Sequence, residues 1–414
     1  MYELISCGGS CGLKLDNLIF NYNNSVKPLN KGEEGMGTKA DELGMILQQH
    51  LRRLAAGRYI NHAVAAVESM DGSFRWSGAE GVARPDGTPM TPETPFWIAS
   101  ITKLYIAAAI LKLHEQGRLS IEQPMAAYLP GNLIKGLHRL KGVDYTEKIT
   151  LRHLLGHSSG LPDYIIIHKK NEKSLFNKLL EEGDMSWSLE DLIGIVKDVN
   201  APFFPPQPLE AEKKKVRYSD TNFQLLIAII ENMTGQPLHE AFEEMIYRPL
   251  GLQHTFHPGR APAGPLLPAA SVWYKERPLN IPQAMASFKD PFSTVGDLLV
   301  FMRALLRGEL FDNPATVKLM HAEWNRFGFS ISPVGPGWPI EYGLGMMRML
   351  PPRSLTPFRP FPELIGHTGA TGTWLFYCPP MDILLAGDVS QITAGPVPFQ
   401  FVPKILRALK PYFN

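Results

Sequence analysis

From Ile106 to Leu111 the chain reads Ile-Ala-Ala-Ala-Ile-Leu, apolar at every position, within a helical stretch from Ser100 to about Gln116 that Gly117 stops. A helix without a polar face must be buried, and the fold that buries it has to supply a layer on each side. Strand-like runs supply such a layer at both ends of the chain. Ala63 to Ser69 and Ser73 to Gly78 flank Asp71-Gly72, a hairpin signal. Tyr342 to Leu350, Leu364 to Thr368, Trp374 to Cys378 and Ile383 to Val389 read as strands near the C-terminus, the last two joined by a turn at Pro379-Pro380-Met381-Asp382.

Between these runs the pattern is helical. Thr150 caps a short helix ending at Leu155, and Asn222 to Met233 is a second apolar helix. A third runs from Pro237 to Tyr247 and is stopped by Pro249. Ser293 or Thr294 caps a helix through Leu306. Leu43, Ile46, Leu47, Leu51 and Leu54 predict a first helix closed by Gly57, and residues 404–412 a last one. The expectation is an α/β protein of the α+β type: an antiparallel sheet flanked by N- and C-terminal helices, with an inserted, mostly helical lobe. The sheet lobe takes residues 39–118 and 292–414, and the helical lobe 119–291. Residues 1–38 form a polar, Asn- and Gly-rich tail. A length of 414 residues suits two lobes, and the cleft between lobes is where a site is expected.

Net charge is +1, so no global field points to nucleic acid, and no apolar run is long enough to span a bilayer. The oligomeric state leaves no mark on the sequence. Only Met1 to Glu3 precede Leu4-Ile5-Ser6-Cys7, so no secretory leader is read and the sequence as given is expected to be cytoplasmic. Leu4 to Cys7 resembles a lipoprotein cleavage box, which would make the chain periplasmic or a lipoprotein only if the start lies upstream. Three cysteines, Cys7, Cys11 and the distant Cys378, make no disulfide framework, and Cys7 and Cys11 lack the further ligands of a metal site. Cys378 reads as an inert thiol.

Ser100-Ile101-Thr102-Lys103 opens the apolar helix. Positions i and i+3 share a helix face, which brings the Lys103 amine within reach of the Ser100 hydroxyl. A serine needs a base to become a nucleophile, and a lysine whose pKa is lowered by burial can serve. The Ser100 backbone N–H, free in the first turn, can face a developing oxyanion. Taken alone, Ser-x-x-Lys is common by chance and reads first as a helix cap and a surface lysine.

Tyr218-Ser219-Asp220 precedes an apolar helix, and Gly366-His367-Thr368-Gly369-Ala370 ends a strand signal. With Ser100-x-x-Lys103 in this order, they resemble the three motifs of the serine β-lactamase, penicillin-binding-protein, D-peptidase and family VIII carboxylesterase group. The residues from Thr150 to Pro162, Tyr218 to Leu226 and Pro249 to Leu252 are also similar to segments of that family. The resemblance covers about Asp41 to the C-terminus. It implies that Ser100 forms an acyl-enzyme and that Lys103 and Tyr218 share the proton work, Tyr218 serving the leaving group. It further implies an oxyanion hole from the N–H groups of Ser100 and Ala370. His367, Thr368 and Gly369 would bind substrate, and neither metal nor cofactor is needed. A charged Lys103 would lower the pKa of Tyr218 and make the phenol the better base, whereas a neutral Lys103 would itself be the better base; the sequence leaves both open.

The chain departs from the family at two places. Asp220 stands where Asn is usual, and His367 where many relatives carry Lys. Asp220 favours a charged Lys103 and repels a substrate carboxylate, while accepting a substrate amine. Asn222 could replace the missing amide. Small neutral esters are therefore the expected substrates, with D-amino-acid peptides or amides second and β-lactams a weak third. Acyl transfer to an acceptor other than water uses the same chemistry. A non-catalytic binding module is the reading from another class.

Gly156-His157-Ser158-Ser159-Gly160 also matches the nucleophile elbow Gly-x-Ser-x-Gly, but a helix signal precedes it where a strand is required. His157 is expected to be structural. His239-Glu240 lacks the second histidine of a zinc protease motif. Lys213-Lys214-Lys215 reads as a solvated charge run. Pro202-Phe203-Phe204-Pro205-Pro206 is either a pocket wall or a connecting loop.

Overall fold

The computed structural model describes residues 36–260, 266–328, 340–350 and 361–413. Cys7, Cys11, the Leu4 to Cys7 box and nearly all of the expected tail lie outside the described residues. Eight strands form one antiparallel sheet: β1 (His62–Ser69), β2 (Arg75–Gly81), β3 (Asn325–Gly328), β4 (Ile340–Tyr342), β5 (Met347–Met349), β6 (Leu364–Thr368), β7 (Trp374–Cys378) and β8 (Ile383–Asp388). Their spatial order is β2-β1-β8-β7-β6-β5-β4-β3. The first strand of the chain thus pairs with the last, one strand in from the β2 edge, where Val64 pairs with Asp388 and Ser69 with Ile383.

The central strands are buried on both faces, and the period of two sorts their side chains into two cores. Ala63, Ala65 and Val67 of β1 join Trp374 and Phe376 of β7 and Ile383 and Leu385 of β8. This face packs on α1 (Met36–Ala55) and the last helix, Val397–Leu409. Val64, Ala66, Leu375, Leu384 and Ala386 face the other way, onto the apolar helix α2 (Thr102–Glu115) and the inner helices. In α2, eleven of fourteen residues are buried, as its composition required.

Four local expectations are corrected. Tyr342 to Leu350 is not one strand but the hairpin β4–β5, turning at Gly343 to Met346. Gly345 has φ +70°, and a Cβ there would stand 2.4 Å from that of Ala107, so the turn lies directly on α2. The last helix begins at Val397, before Pro403, not at residue 404. Proline removes one backbone donor, but burial of Phe399, Phe401, Val402, Ile405 and Leu406 outweighs that loss. Pro249 does not end its helix either. A π turn at Glu243–Tyr247 precedes it, and the chain leaves helical geometry at Gly251, φ +65°. Finally, Lys214 is not solvated. It is buried, pairs with Glu323 at 2.6 Å, and ties the segment before Tyr218 to the β3 edge through Asn325.

Thr150 caps Leu151–Leu155 in a reciprocal box: its hydroxyl accepts from the His153 N–H, and its own N–H donates to His153 Nδ1 at 3.0 Å. We expect Thr150→Ala to lower unfolding free energy by about 1 kcal/mol in urea denaturation, because it orphans a buried N–H. Among the described residues no helix is long and apolar enough to cross a membrane, and no acidic, histidine or cysteine cluster could hold a metal ion.

Candidate active site

Ser100 does not open an α-helix directly. It is the middle residue of a single 3-10 turn, Ala99–Ile101, that leads into α2. Ala99 before it has φ +46°, a left-handed conformation that is costly for a residue with a Cβ. A Cβ on Gly369 would stand 2.9 Å from the Ile98 carbonyl and 3.1 Å from Ala99 Cβ, so the turn after β6 packs tightly against this strained segment. Gly366 within β6 has φ +147°, and a Cβ there would lie 2.0 Å from the Leu375 carbonyl. The turn is tied by Gly369 N–H to the Thr373 carbonyl, and the Thr373 hydroxyl reaches Asp388, itself buried with His62 and Ser390. Ala370 lies exposed at its tip.

Ser100 Oγ is 2.9 Å from Lys103 Nζ and 2.9 Å from the Tyr218 hydroxyl. Lys103, only 5% exposed, also lies 2.5 Å from Asp220 Oδ1 and 5.0 Å from the centre of the Tyr218 ring. Asp220 is the first residue of the helix Asp220–Thr234. Its side chain remains 29% exposed, so the carboxylate meets both the lysine and solvent.

Electrostatics around these groups differ from the sequence expectation. Burial opposes the charge on Lys103, but Asp220 and, next, Asp290 outweigh it and raise its pKa. Tyr218 is raised well above the usual phenol value, first by burial and then by Asp220, although its bond to Ser100 works the other way. Lys103 therefore does not produce a ready phenolate. Asp163 is pushed up to about 7 by burial and by Asp220, and Asp290 to about 7 chiefly by burial. One ammonium thus sits among three carboxyl groups.

His157 is buried in the turn after the Thr150 helix, at φ +54°. Its Nδ1 accepts from the Ser219 N–H at 3.2 Å and from Asn222 Nδ2 at 3.0 Å, which leaves the proton on Nε2. Its ring lies tilted against Tyr218, centroids 4.5 Å apart, and edge-on to Tyr342 at 4.6 Å. Burial and then Lys103 hold it well below the usual imidazole value, so it is a neutral spacer. Asn222 is also buried, with Oδ1 taking the Ser159 hydroxyl at 2.7 Å. Both ends of that amide are spent on this turn, and neither replaces an amide at position 220.

His367 differs from its expected position as a substrate contact. It has no exposed surface; Nε2 meets the Tyr342 hydroxyl at 2.7 Å and Nδ1 its neighbour's carbonyl at 2.7 Å. Burial, then Lys103, lower its pKa to about 3, so it adds no positive charge. Thr368 and Gly369 follow it at the end of β6. Ser158 is buried directly after a helix, not perched on a strand-to-helix elbow. In the proline-rich segment, the Phe203 N–H bonds the Gly160 carbonyl and Arg217 lies 4.4 Å over the Phe203 ring, one residue from Tyr218. Asp163, Asp290 and Tyr342 were not picked out from the sequence. Only Asp163 left a trace there, following the Leu161-Pro162 that closes the family-like segment.

A serine hydroxyl held between an amine and a phenol, on an antiparallel sheet with a helical insert, is the arrangement of the serine β-lactamase and penicillin-binding-protein family. The family model described as Beta-lactamase matches residues 47–390, and the chain belongs to that family. A putative D-alanyl-D-alanine carboxypeptidase of Escherichia coli K12 is 30% identical over 316 residues, 68% of this chain and 66% of that one. Esterase EstB of Burkholderia gladioli is 30% identical over 52% of this chain and 50% of its own. The chain thus spans between half and two thirds of the length of these two relatives. A D-stereospecific amidohydrolase from Streptomyces sp. superposes with a TM-score of 0.64 and 27% identity, covering 88% of this chain and 98% of that structure.

Proposed function

We propose that this chain hydrolyses small, uncharged esters through an acyl-enzyme on Ser100. The observation that carries the reading is the charge balance beside the nucleophile. Lys103 is held by Asp220 at 2.5 Å, and His367 is buried and neutral, so neither is free to bind a substrate carboxylate. Penicillins and peptides ending in a free carboxylate are disfavoured for that reason.

In this reading Ser100 Oγ attacks the ester carbonyl while the oxyanion is received by the N–H groups of Ser100 and Ala370. Tyr218, a neutral phenol, gives its proton to the departing alcohol as the proton drawn from Ser100 returns to it by way of Lys103, so that no phenolate is left behind. His367 acts behind the wall by orienting Tyr342, while Thr368 and Gly369 border the acyl group. Phe203 borders the entrance. The site lies between a sheet lobe of residues 39–118 and 292–414 and a helical lobe of residues 119–291.

A second reading rests on Asp220, whose part-exposed carboxylate would attract a substrate ammonium, as in amides of D-amino acids. The name of the Streptomyces relative supports it. Intact-mass spectrometry tests the proposal after incubation with a fluorophosphonate, p-nitrophenyl acetate, D-phenylalanine amide and a penicillin. An adduct on the Ser100 peptide with fastest turnover of the ester is expected. Faster turnover of the amide moves the second reading to first place, and no adduct in folded protein favours a binding module. Ser158→Ala should leave ester turnover within about twofold of wild type, since a buried hydroxyl away from Lys103 takes no part in the chemistry. A loss of a hundredfold or more would transfer the nucleophile to Ser158.

A further inference from the structure

We propose that Asp220 is the terminal proton acceptor of acylation, reached from Ser100 through Lys103, so that Ser100, Lys103 and Asp220 work as a relay. This rests on Ser100 being the nucleophile. The geometry supplies both links: 2.9 Å from Ser100 Oγ to Lys103 Nζ and 2.5 Å from Lys103 Nζ to Asp220 Oδ1.

A protonated lysine has three N–H donors and no lone pair. It takes the Ser100 proton only by giving up one of its own. Asp220 Oδ1 is the acceptor within hydrogen-bond reach. The Tyr218 hydroxyl, the other partner of Oγ, would become a buried phenolate next to the same carboxylate, and burial and Asp220 both oppose that.

The step balances as follows. The Oγ–C bond forms as the carbonyl π pair moves onto oxygen. The Oγ proton passes to Nζ while one Nζ proton passes to Asp220 Oδ1. Lys103 begins and ends the step as an ammonium, unprotonated only between the two transfers, and Asp220 becomes a neutral carboxylic acid. The positive charge is therefore restored beside the oxyanion as the negative charge develops. Asp220 acts through Lys103 and is a proton-holding residue, not one that touches the substrate.

Other ionisable groups face this pair from every side. Asp163 comes from the turn after the Thr150 helix, and Asp290 from the segment before Phe292. Tyr218 precedes Asp220, Tyr342 comes from β4, and His367 from β6. Asp163 and Asp290 titrate near neutrality, so an acid limb in a pH profile does not by itself identify Asp220.

The deciding experiments follow the acylation burst with p-nitrophenyl acetate, after fluorophosphonate labelling has located the nucleophile. In the wild-type protein, a proton inventory in H2O/D2O mixtures should be curved, as two protons in flight require; a linear inventory overturns the relay. Asp220→Ala should acylate at least about 100-fold more slowly. Formate and acetate should restore it at least tenfold, acetate more than formate because it is the stronger base. Asp220→Asn, which fills the space without accepting a proton, should be as slow as Asp220→Ala and gain nothing from either anion. Acylation by Asp220→Asn at the wild-type rate overturns the proposal. Should the Ala variant not fold, the wild-type inventory still decides. Absence of label on Ser100 sinks the Ser100 reading itself, whereas label on Ser100 with a linear inventory sinks the relay alone.

Discussion

Ser100→Ala should lower turnover of p-nitrophenyl acetate by roughly 10⁴-fold or more and remove fluorophosphonate labelling altogether. The loss is large because, in the proposed acyl-enzyme, the hydroxyl is the atom that bonds to the substrate, and no neighbour can stand in for it. Tyr218 and Lys103 both meet that oxygen at 2.9 Å, and neither has an ionisation that would make it a nucleophile. The variant should fold. Its missing bonds belong to groups that keep other partners, Lys103 on Asp220 and the Tyr218 ring on His157. Thermal unfolding should therefore match or exceed wild type, as expected where a strained turn such as the one at Ala99 serves catalysis rather than stability. Residual activity within tenfold of wild type, in folded protein, would remove Ser100 from the chemistry.

Tyr218→Phe isolates the phenolic oxygen. The ring should remain in place, since His157 at 4.5 Å and the Lys103 ammonium at 5.0 Å contact its faces and the hydroxyl is not needed for either. General acid catalysis typically contributes 10²–10⁴-fold, so kcat should fall by that range on an alkyl ester with a poor leaving group. On p-nitrophenyl acetate the fall should be much smaller, because p-nitrophenolate departs without a proton. Measuring both substrates on the same variant separates the two roles. An equal loss on both would mean that Tyr218 withdraws the Ser100 proton, not that it protonates the leaving group, and would also count against the relay through Asp220. Loss on the alkyl ester alone agrees with both.

Much of the architecture was legible in local pattern. The all-apolar run in α2 required two covering layers and has them: the sheet on one side and the helices of the insert on the other. The runs Ala63 to Ser69, Trp374 to Cys378 and Ile383 to Val389 read as strands, and β1, β7 and β8 fall on them. Reading failed where tertiary contact overrides a local signal. Gly343 to Met346 looked continuous with its flanking strands because nothing nearby shows that α2 needs a tight turn laid on Ala107. Pro403 looked like a helix boundary because its local cost is visible and the burial that offsets it is not.

The order of the three motifs, the spacing that joins Ser100 to Lys103 and the acid at position 220 can all be read from the chain in one dimension. These are covalent or one-turn relations, and helix geometry carries them without reference to the rest of the chain. The charge state of the site depends on packing between distant segments. Tyr218 reaches Ser100 across 118 residues, and Asp163, Asp290, Tyr342 and His367 arrive from four further segments. A pKa responds to burial and to charges a few ångströms away, whatever their distance along the chain. The sign of the Tyr218 shift, upward rather than downward, therefore became visible only once those segments were packed around it.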